Sequence, residues 1–427
     1  MRIKDLNGKT ICILGFGREG RATAKALKER VPKARITIAD KNASAASDDP
    51  HHKLQTGPGW LQNLEAFDVI IKSPGIPPLP EFKPVAKKIT NATQIFLDTI
   101  EGSGTITIGV TGSKGKSTTA SLIAEILKAG GKTMHLVGNI GKPVLDSLSS
   151  AKEGTYFVVE LSSYQLMDMT RSPEIAVITS VFPEHLDYHG SFEAYKEAKG
   201  NITRFQKKGD VVFYNALSPE AKVMAKLSKG KKVKFDWGEA PLRIEETKLL
   251  GMHNLNNMAA AVKVGLHAKI PKAVILNVLR EFEGLPHRLQ FIGNHHGIEW
   301  VDDAISTTPE STIAALEALG DRIMTIILGG QDRGNDFSEL GKKLLSSKIE
   351  HIILFPESGR RIRQAVNQET NRLIFHEAAT MEEAVAIANK VTPQGKICLL
   401  STASPSYNMF RNFEEKGEKF LQCIKAM

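Results

Sequence analysis

The chain has 427 residues, of which 41% are hydrophobic and 24% are charged, so it can form roughly two to four folded domains. Its formal charge of +9 is spread along the chain without a basic block, which favours an enzyme with anionic substrates over a nucleic-acid-binding protein. The three cysteines form no metal-binding pair, the first residues lack the apolar core of a signal peptide, and no apolar run is long enough to span a bilayer. We therefore expect a cytoplasmic protein without a membrane partner.

Short apolar runs alternate with helical patterns along the chain, which predicts an α/β fold of parallel sheets covered by helices. We predict three domains. Residues 1–97 form a Rossmann-like domain, residues 98–284 a central sheet of the P-loop ATPase type, and residues 285–427 a second Rossmann-like domain. The last boundary follows from Gly284-Leu285-Pro286, which breaks the helix before it.

The first block opens with a predicted strand, Thr10 to Leu14, that runs into Gly15-x-Gly17-x-x-Gly20, with Asp40 at the end of the next strand. This is the form of a dinucleotide-binding fingerprint, and taken alone it suggests an NAD-dependent oxidoreductase. The same glycine turn suits any nucleotide diphosphate, and no dehydrogenase site accompanies it. We therefore favour a nucleotide-linked substrate here, although the glycines could also serve only close helix packing.

The central block contains a glycine-rich turn between an apolar strand and a predicted helix, Ala120 to Lys128. Glycines and a helix N-terminus direct N–H groups at phosphate oxygens, Lys116 can reach the outer phosphates, and Ser117 can hold Mg²⁺. Only two residues separate Gly112 from Gly115, where the usual loop has four. The predicted ATP-binding residues of this loop are Gly112, Ser113, Lys114, Gly115, Lys116, Ser117 and Thr118. The alternative is an ordinary strand-turn-helix junction.

Polar side chains follow two further predicted strands of this block. Glu160 ends the first, where a carboxylate beside a phosphate loop can hold Mg²⁺. His185 follows the second, with acidic residues on both sides, which favours a functional histidine. Lys199, by contrast, is by sequence alone a solvated helix lysine. Asn254 and Asn257 precede a predicted helix, Met258 to His267, and could contact a nucleotide or simply cap the helix.

These pieces occur in the order in which they are found in the Mur ligases, and the chain resembles that family over essentially its whole length. The motifs that carry the resemblance are Thr111-Gly112-x-x-Gly115-Lys116-Ser117-Thr118, Gly138-Asn139-Ile140-Gly141, Glu160-Leu161-Ser162-Ser163-Tyr164-Gln165, Glu184-His185-Leu186-Asp187, Ala198-Lys199, His253-Asn254-x-x-Asn257 and Leu285-Pro286-His287-Arg288. The resemblance implies an ATP-dependent amide ligase that uses two Mg²⁺ ions in peptidoglycan precursor synthesis.

Within that family, the Gly15-x-Gly17 turn and two later segments, Leu328 to Phe337 and Ser401 to Gly417, are similar to those of members that join D-glutamate to UDP-N-acetylmuramoyl-L-alanine. The implied partners are these two substrates and ATP, without nucleic acid, and the implied state is a monomer. A sister ligase for another amino acid or for L-glutamate, an NAD-dependent oxidoreductase and a non-catalytic nucleotide-binding module stay as alternatives.

The resemblance also implies roles for single residues. Lys116, His185 and Lys199 would be catalytic, and Ser117, Glu160, His185 and a carbamylated Lys199 would hold the two metal ions. Asn254, Asn257, Arg288 and Asp303 would line the nucleotide. The UDP-substrate would contact Gly15, Phe16, Gly17, Arg18, Asp40, Lys41, Ser73, Gly75, Asn139 and Gln165. D-Glutamate would contact Thr307, Arg333, Ser406, Tyr407 and Phe413.

Two positions depart from the family pattern. Ile305 stands where the family commonly has a lysine, within Asp303-Ala304-Ile305-Ser306-Thr307-Thr308. Arg333 replaces the glutamate-binding lysine of many members, although its planar guanidinium still suits a carboxylate. Both departures bear on the amino-acid preference and not on the class of reaction.

Overall fold

The computed structural model describes residues 1–366 and 372–427, and in these residues the chain forms three β-sheets flanked by helices. Each sheet lies within one of the three predicted domains. The α/β fold class predicted from the sequence is therefore confirmed, whereas the domain boundaries stay predictions.

The first sheet is parallel throughout, with the strand order β3-β2-β1-β4-β5. The central strand β1 is buried over four of its five residues, as expected for a strand covered on both faces. The strands are β1 (Thr10–Leu14), β2 (Arg35–Asp40), β3 (Lys53–Thr56), β4 (Val69–Lys72) and β5 (Ile89–Thr90).

The second sheet is also parallel, with the order β11-β10-β9-β6-β8-β7. Its middle strands are apolar runs buried on both faces, and the charged strand β11 lies at an edge. The strands are β6 (Ile106–Thr111), β7 (Met134–Gly138), β8 (Tyr156–Glu160), β9 (Ile175–Ile178), β10 (Val211–Asn215) and β11 (Lys231–Phe235).

The third sheet is mixed, with the order β12-β13-β17-β14-β15-β16. The expectation of purely parallel sheets is wrong here, because β12 and β13 form an antiparallel hairpin. His296 and Gly297 both have positive φ values, 55° and 80°, as a tight two-residue hairpin turn requires. The strands are β12 (Gln290–His295), β13 (Ile298–Asp302), β14 (Ile323–Gly330), β15 (His351–Glu357), β16 (Ile374–Glu377) and β17 (Ile397–Leu400).

Helices cover both faces of the sheets, and the apolar core lies between them. The α-helices are α1 (Arg18–Arg30), α2 (Ala92–Ile100), α3 (Lys116–Ala129), α4 (Ser163–Leu166), α5 (Leu186–His189), α6 (Phe192–Arg204), α7 (Pro219–Lys226), α8 (Asn254–His267), α9 (Lys272–Glu281), α10 (Pro309–Leu319), α11 (Ser338–Ser346), α12 (Ser358–Val366), α13 (Met381–Val391) and α14 (Phe413–Lys425). In the described part of the chain, no helix is long and apolar enough to cross a membrane.

The chain divides into two compact units. The first comprises Met1–Pro241 and Leu255–Leu279 and contains the first two sheets. The second comprises Leu242–Asn254 and Arg280–Met427 and contains the third sheet.

Two helices begin earlier than predicted. The structure starts α3 at Lys116 and α8 at Asn254, where the pattern predicted Ala120 and Met258. The apolar periodicity marks only the part of a helix that packs on the sheet, whereas its first turn carries polar residues whose N–H groups have no partner within the helix. These polar first turns are the ones to which the motifs were assigned.

Candidate active site

The predicted ATP and metal residues of the first unit lie at one edge of the second sheet. Its order places β7, β8, β6 and β9 side by side and parallel, so their carboxyl ends meet. Thr111, Gly138 and Glu160 end three of these strands. This edge is where open parallel sheets bind their ligands.

The phosphate loop is held in a shape that only glycine permits at two positions. Gly112 and Gly115 have φ values of 155° and 83°. A Cβ atom at Gly112 would lie 1.9 Å from Thr179 Oγ1, and one at Gly115 would lie 2.4 Å from Asn257 Oδ1. The loop therefore has both the backbone conformation and the close packing that a phosphate cradle needs.

Side chains of the loop fix it from within. Lys116 Nζ donates to the carbonyl oxygen of Ser113 at 2.8 Å. The Ser113 hydroxyl donates to the carbonyl oxygen of Phe182 at 2.8 Å and lies 2.9 Å from the Tyr195 hydroxyl, and its N–H donates to Ser180 at 2.5 Å. Ser113 thus stabilises the loop, while Lys114 is exposed and Lys116 and Ser117 are half-buried at the start of α3.

The two asparagines of the His253-Asn254-x-x-Asn257 motif occupy the first turn of α8. Asn257 is buried and its Oδ1 accepts from Thr119 Oγ1 at 3.2 Å, which joins α8 to the helix that follows the phosphate loop. Asn254 is also buried, and its Nδ2 donates to the carbonyl oxygen of Leu250 at 2.9 Å. Asn257 therefore supports the loop from the side of α8.

Glu160 has the properties of a metal ligand. Its side chain is 1% exposed, and its Oε1 accepts from Asn139 Nδ2 at 2.9 Å. Its Oε2 is buried without a hydrogen-bond partner. A buried carboxylate oxygen without a partner lowers the stability of the fold. A bound cation would supply the missing partner, so Oε2 is suited to metal binding.

Lys199 is buried, with only 1% of the residue exposed, so its interpretation as a solvated helix lysine is wrong. It lies on the face of α6 that also buries Tyr195, Ala198 and Ile202. Its Nζ donates to the carbonyl oxygen of Gly112 at 2.8 Å and to Thr111 Oγ1 at 3.3 Å.

Burial, followed by the nearby positive charge of Lys116, lowers the pKa of Lys199 well below its usual value. A lysine whose amine is held neutral is nucleophilic and can add CO₂. The resulting carbamate would be an anion that can bind a metal ion.

His185 lies in a left-handed conformation, with φ of 56°, immediately before α5. Its ring centroid is 5.0 Å from that of Tyr164. Burial lowers the pKa of His185, which favours the neutral imidazole that binds metal ions. The neighbouring Glu184 pairs with Lys114 of the phosphate loop at 2.9 Å.

Across residues 1–366 and 372–427, no three His, Cys, Asp or Glu side chains come together as a ready-made metal site. The set Ser117, Glu160, His185 and Lys199 offers one carboxylate and one imidazole. Mg²⁺ is commonly held by one or two carboxylates together with substrate phosphates and water. The donors present therefore fit an ion that completes its coordination with the nucleotide and with a carbamate on Lys199.

The predicted UDP-substrate residues gather at the carboxyl ends of β1, β2 and β4. The Phe16 N–H donates to Asp40 Oδ2 at 2.6 Å, and Ser73 Oγ donates to the carbonyl oxygen of Gly15 at 2.9 Å. Gly15 has a φ of 84° and could not carry a Cβ atom without a contact of 3.0 Å to Ser73. Asp40 and Ser73 thus hold the glycine turn in place, while Lys41 and Gly75 are exposed beside it.

Two contacts join this turn to the second sheet. Arg18 donates to the carbonyl oxygens of Gly138 and Asn139 at 3.3 and 3.2 Å. Gln165 Nε2 donates to Glu19 Oε1 at 3.0 Å. The structure therefore brings Arg18, Asn139 and Gln165 close to the glycine turn, as the assignment to one substrate requires.

In the second unit, the predicted amino-acid residues follow β13, β14 and β17, and β17 pairs in parallel with each of the other two strands. The Arg333 guanidinium stacks on the Tyr407 ring, 5.2 Å from its centroid. Ser406 is buried, and its Oγ accepts from Lys416 Nζ at 3.0 Å. Thr307 is half-buried, and Phe413 begins α14 with its ring 6.2 Å from that of His287.

Asp303 follows β13 at the same edge and is almost fully buried. It accepts from Ser401 Oγ at 2.8 Å and from the N–H of Leu289 at 3.2 Å, and so fixes the turn that carries Arg288. Burial raises the pKa of Asp303 to about 6.

Sequence reasoning missed several residues of these sites. Lys416 is 1% exposed and its Nζ donates to Thr402 Oγ1 at 2.6 Å as well as to Ser406. Burial lowers its pKa to about 7. Tyr195, which supports Ser113, lies one helical turn before Lys199 on the buried face of α6. That spacing is the one signal by which Tyr195 could have been found.

Two segments of the chain match models of known domain families. Residues 110–240 match the Mur ligase middle domain, and residues 287–403 match the Mur ligase, glutamate ligase domain. The chain is 34% identical to UDP-N-acetylmuramoylalanine–D-glutamate ligase of Streptococcus agalactiae, over 100% of this chain and 99% of that protein. It is 35% identical to UDP-N-acetylmuramoyl-L-alanine–L-glutamate ligase of Salinispora tropica, with the same coverage of both chains.

Solved structures share the fold at low identity. UDP-N-acetylmuramate-alanine ligase MurC from Thermotoga maritima matches with a TM-score of 0.58 and 19% identity, over 98% of this chain and 99% of that one. MurF ligase from Thermotoga maritima, solved in complex with ADP, matches with a TM-score of 0.58 and 16% identity, over 100% and 97% of the two chains. Two matching domain families and relatives above 30% identity over the full length lead to one conclusion: this chain belongs to the Mur ligase family.

Proposed function

We propose that the protein is an ATP-dependent ligase that joins D-glutamate to UDP-N-acetylmuramoyl-L-alanine in peptidoglycan precursor synthesis. The observation that carries the proposal is the pair of buried groups at the phosphate loop. Lys199 is 1% exposed, its Nζ donates to the carbonyl oxygen of Gly112 at 2.8 Å, and burial lowers its pKa. Glu160 is equally buried, and its Oε2 lacks a hydrogen-bond partner. Both groups suit a triphosphate and its divalent ions, and neither suits a hydride-transfer site. Membership of the family agrees with this reaction.

The chemistry requires activation of a carboxylate. An ionised carboxylate repels nucleophiles and has no adequate leaving group, so the L-alanyl carboxylate would first attack the γ-phosphorus of ATP and expel ADP. The amine of D-glutamate would then attack the acyl phosphate, lose a proton and release phosphate. Lys116 and the loop N–H groups would neutralise charge on the transferring phosphoryl group.

Ser117, Glu160, His185 and a carbamylated Lys199 would hold two Mg²⁺ ions, which supply charge neutralisation at the phosphates. The side chains of the protein would hold these groups in position. Asn139 orients Glu160, and the contacts of Lys199 with Gly112 and Thr111 bring its amine against the phosphate loop. In the second unit, Arg288 and Asp303 would contact the nucleotide, while Thr307, Arg333, Ser406, Tyr407 and Phe413 would bind the amino acid.

The remaining proposals follow from the substrates. The residues of the first sheet, from the Gly15 turn to Ser73 and Gly75, would bind the uridine diphosphate. Nucleotide-linked substrates and ATP are consistent with a cytoplasmic enzyme, and we further propose that it works as a monomer.

The test is phosphate release by the purified protein with ATP, Mg²⁺ and UDP-N-acetylmuramoyl-L-alanine, with each of a panel of amino acids added in turn. The proposal predicts release that depends on both the UDP-substrate and D-glutamate. Release that is independent of the amino acid, or absent with every amino acid, contradicts it.

L-Glutamate is the second candidate for the amino acid, and the Salinispora tropica relative named for that substrate supports it. Ile305 and Arg333 depart from the common pattern at the proposed amino-acid site, where the enantiomer would be selected. The two enantiomers are therefore compared in the same panel, and kcat/KM at least about tenfold higher for one of them assigns the substrate.

A further inference from the structure

The loop that follows β4 is held by side chains of α5 and of β4 itself. The Tyr188 hydroxyl lies 2.7 Å from the carbonyl oxygens of both Pro74 and Ile76. The Ile76 carbonyl also accepts from Lys72 Nζ at 3.0 Å. This loop contains Ser73 and Gly75, which are predicted to bind the uridine diphosphate.

An ion pair lies beneath the same loop. Lys72 ends β4 with a side chain that is 2% exposed, and its Nζ is 2.9 Å from Asp168 Oδ2, just after α4. A buried ammonium group needs such a partner. Because the ammonium already donates to Ile76, the single proton of the Tyr188 hydroxyl is available to Pro74. The loop is thereby fixed at the carbonyl groups on either side of Gly75, those of Pro74 and Ile76.

Tyr188 is also packed against the predicted metal site. It belongs to α5, the short helix that begins directly after His185. The Tyr164 ring centroid lies 4.1 Å from that of Tyr188 and 5.0 Å from that of His185. The Tyr188 hydroxyl therefore contacts the Ser73–Ile76 loop, while its ring packs on Tyr164, which in turn packs on His185.

We infer that Tyr188, supported by the Lys72–Asp168 pair, is a positioning residue that couples the Ser73–Ile76 loop to the phosphate-transfer site around His185. This rests on the proposed function, in which the UDP end of one substrate binds the loop while its carboxylate attacks ATP. If the uridine diphosphate end of the substrate is held at a fixed distance from the phosphate loop, its carboxylate lies within reach of the γ-phosphorus. Small misplacements of reacting groups lower the reaction rate strongly.

The test is Tyr188→Phe, which removes the hydroxyl and keeps the ring packed on Tyr164. We expect kcat at saturating substrates to fall at least about tenfold, while KM for ATP changes by less than about twofold. A second measurement is the affinity for UDP-N-acetylmuramoyl-L-alanine by calorimetry, with and without Mg-ADP. In the wild type, Mg-ADP should change this affinity, whereas in the variant the affinities with and without Mg-ADP should become more nearly equal.

Tyr214→Phe is the matched control, since Tyr214 is a half-buried tyrosine in β10 and should retain wild-type values. The double variant Lys72→Met/Asp168→Asn removes the ion pair without leaving a lone buried charge, and it should reproduce the loss of coupling. Wild-type kcat and coupling in Tyr188→Phe would overturn the inference. If the wild-type protein itself fails to ligate, the proposed function fails instead, so the two failures are distinct.

Discussion

Lys199 shows how much a single residue can depend on its surroundings. The same side chain would be an ordinary cation on an exposed helix, but here it is buried at the phosphate loop, and burial lowers its pKa well below the usual value. A neutral amine can take up CO₂ and become an anionic ligand. Its sequence neighbourhood, Glu197-Ala198-Lys199-Gly200, does not distinguish the two situations.

We predict that Lys199→Ala reduces ligase activity by at least about a hundredfold, because the proposed metal site would lose a ligand. Acetate or formate in the assay should partly restore activity by occupying the position of the carbamate. Lys196→Ala, on the more exposed part of α6, is the control and should stay active without added acid. Full activity of untreated Lys199→Ala would exclude the carbamate role.

His189 is predicted to make the protein sensitive to acid. Burial lowers the pKa of His189 to about 4 from the ordinary value of 6.5. The unfolded chain therefore binds a proton between pH 6.5 and 4 that the folded state does not, and stability is lost as pH falls through this range. His189→Gln should flatten this part of the curve of melting temperature against pH, whereas His51→Gln, an exposed control, should not. Equal slopes for His189→Gln and wild type would contradict this account.

At the scale of elements, the turn before α3 is the part most constrained by its backbone. Gly115 and Gly131 flank this helix with φ values of 83° and 74°, but only at Gly115 would an added Cβ meet another atom, Asn257 Oδ1 at 2.4 Å. Replacement of either glycine by alanine lowers the free energy of unfolding by about 1 kcal/mol, because alanine disfavours the left-handed conformation.

Gly115→Ala should therefore be less stable than Gly131→Ala. It should also weaken ATP binding by at least about tenfold, because the phosphate loop has to shift to make room for the new Cβ atom. Gly131→Ala should bind ATP like the wild type. Chemical denaturation and nucleotide titration of the two variants measure this, and equal ATP affinity in both would show that the loop geometry does not matter.

The sequence predicted some elements well because their signals are local. The position of β1 and the location of Glu160 at the end of a strand follow from short apolar runs with polar residues after them. The β12–β13 hairpin was missed, because His296 at a positive φ has no strong sequence signature. Tyr188 and Asp168 could not be assigned, because their partners Pro74 and Lys72 are about a hundred residues away in the chain and only the fold brings them together.

At the scale of the molecule, parallel strands explain why distant motifs form sites. In the first unit, the ends of β6, β7 and β8 bring the phosphate loop, Asn139 and Glu160 to one edge. In the second unit, the ends of β13, β14 and β17 bring Asp303, Arg333 and Ser406 to another. The chain thus carries one set of residues suited to phosphate transfer and another suited to a carboxylate-bearing amino acid.

The most direct test of the account follows one oxygen atom. UDP-N-acetylmuramoyl-L-alanine labelled with ¹⁸O in the alanyl carboxylate is turned over with ATP and D-glutamate, and the released phosphate is analysed by mass spectrometry. Activation through an acyl phosphate predicts that each phosphate formed from doubly labelled substrate carries one ¹⁸O atom. The amount of labelled phosphate should equal the amount of amide product. Unlabelled phosphate would mean that ATP is cleaved by water, and the central claim would be contradicted.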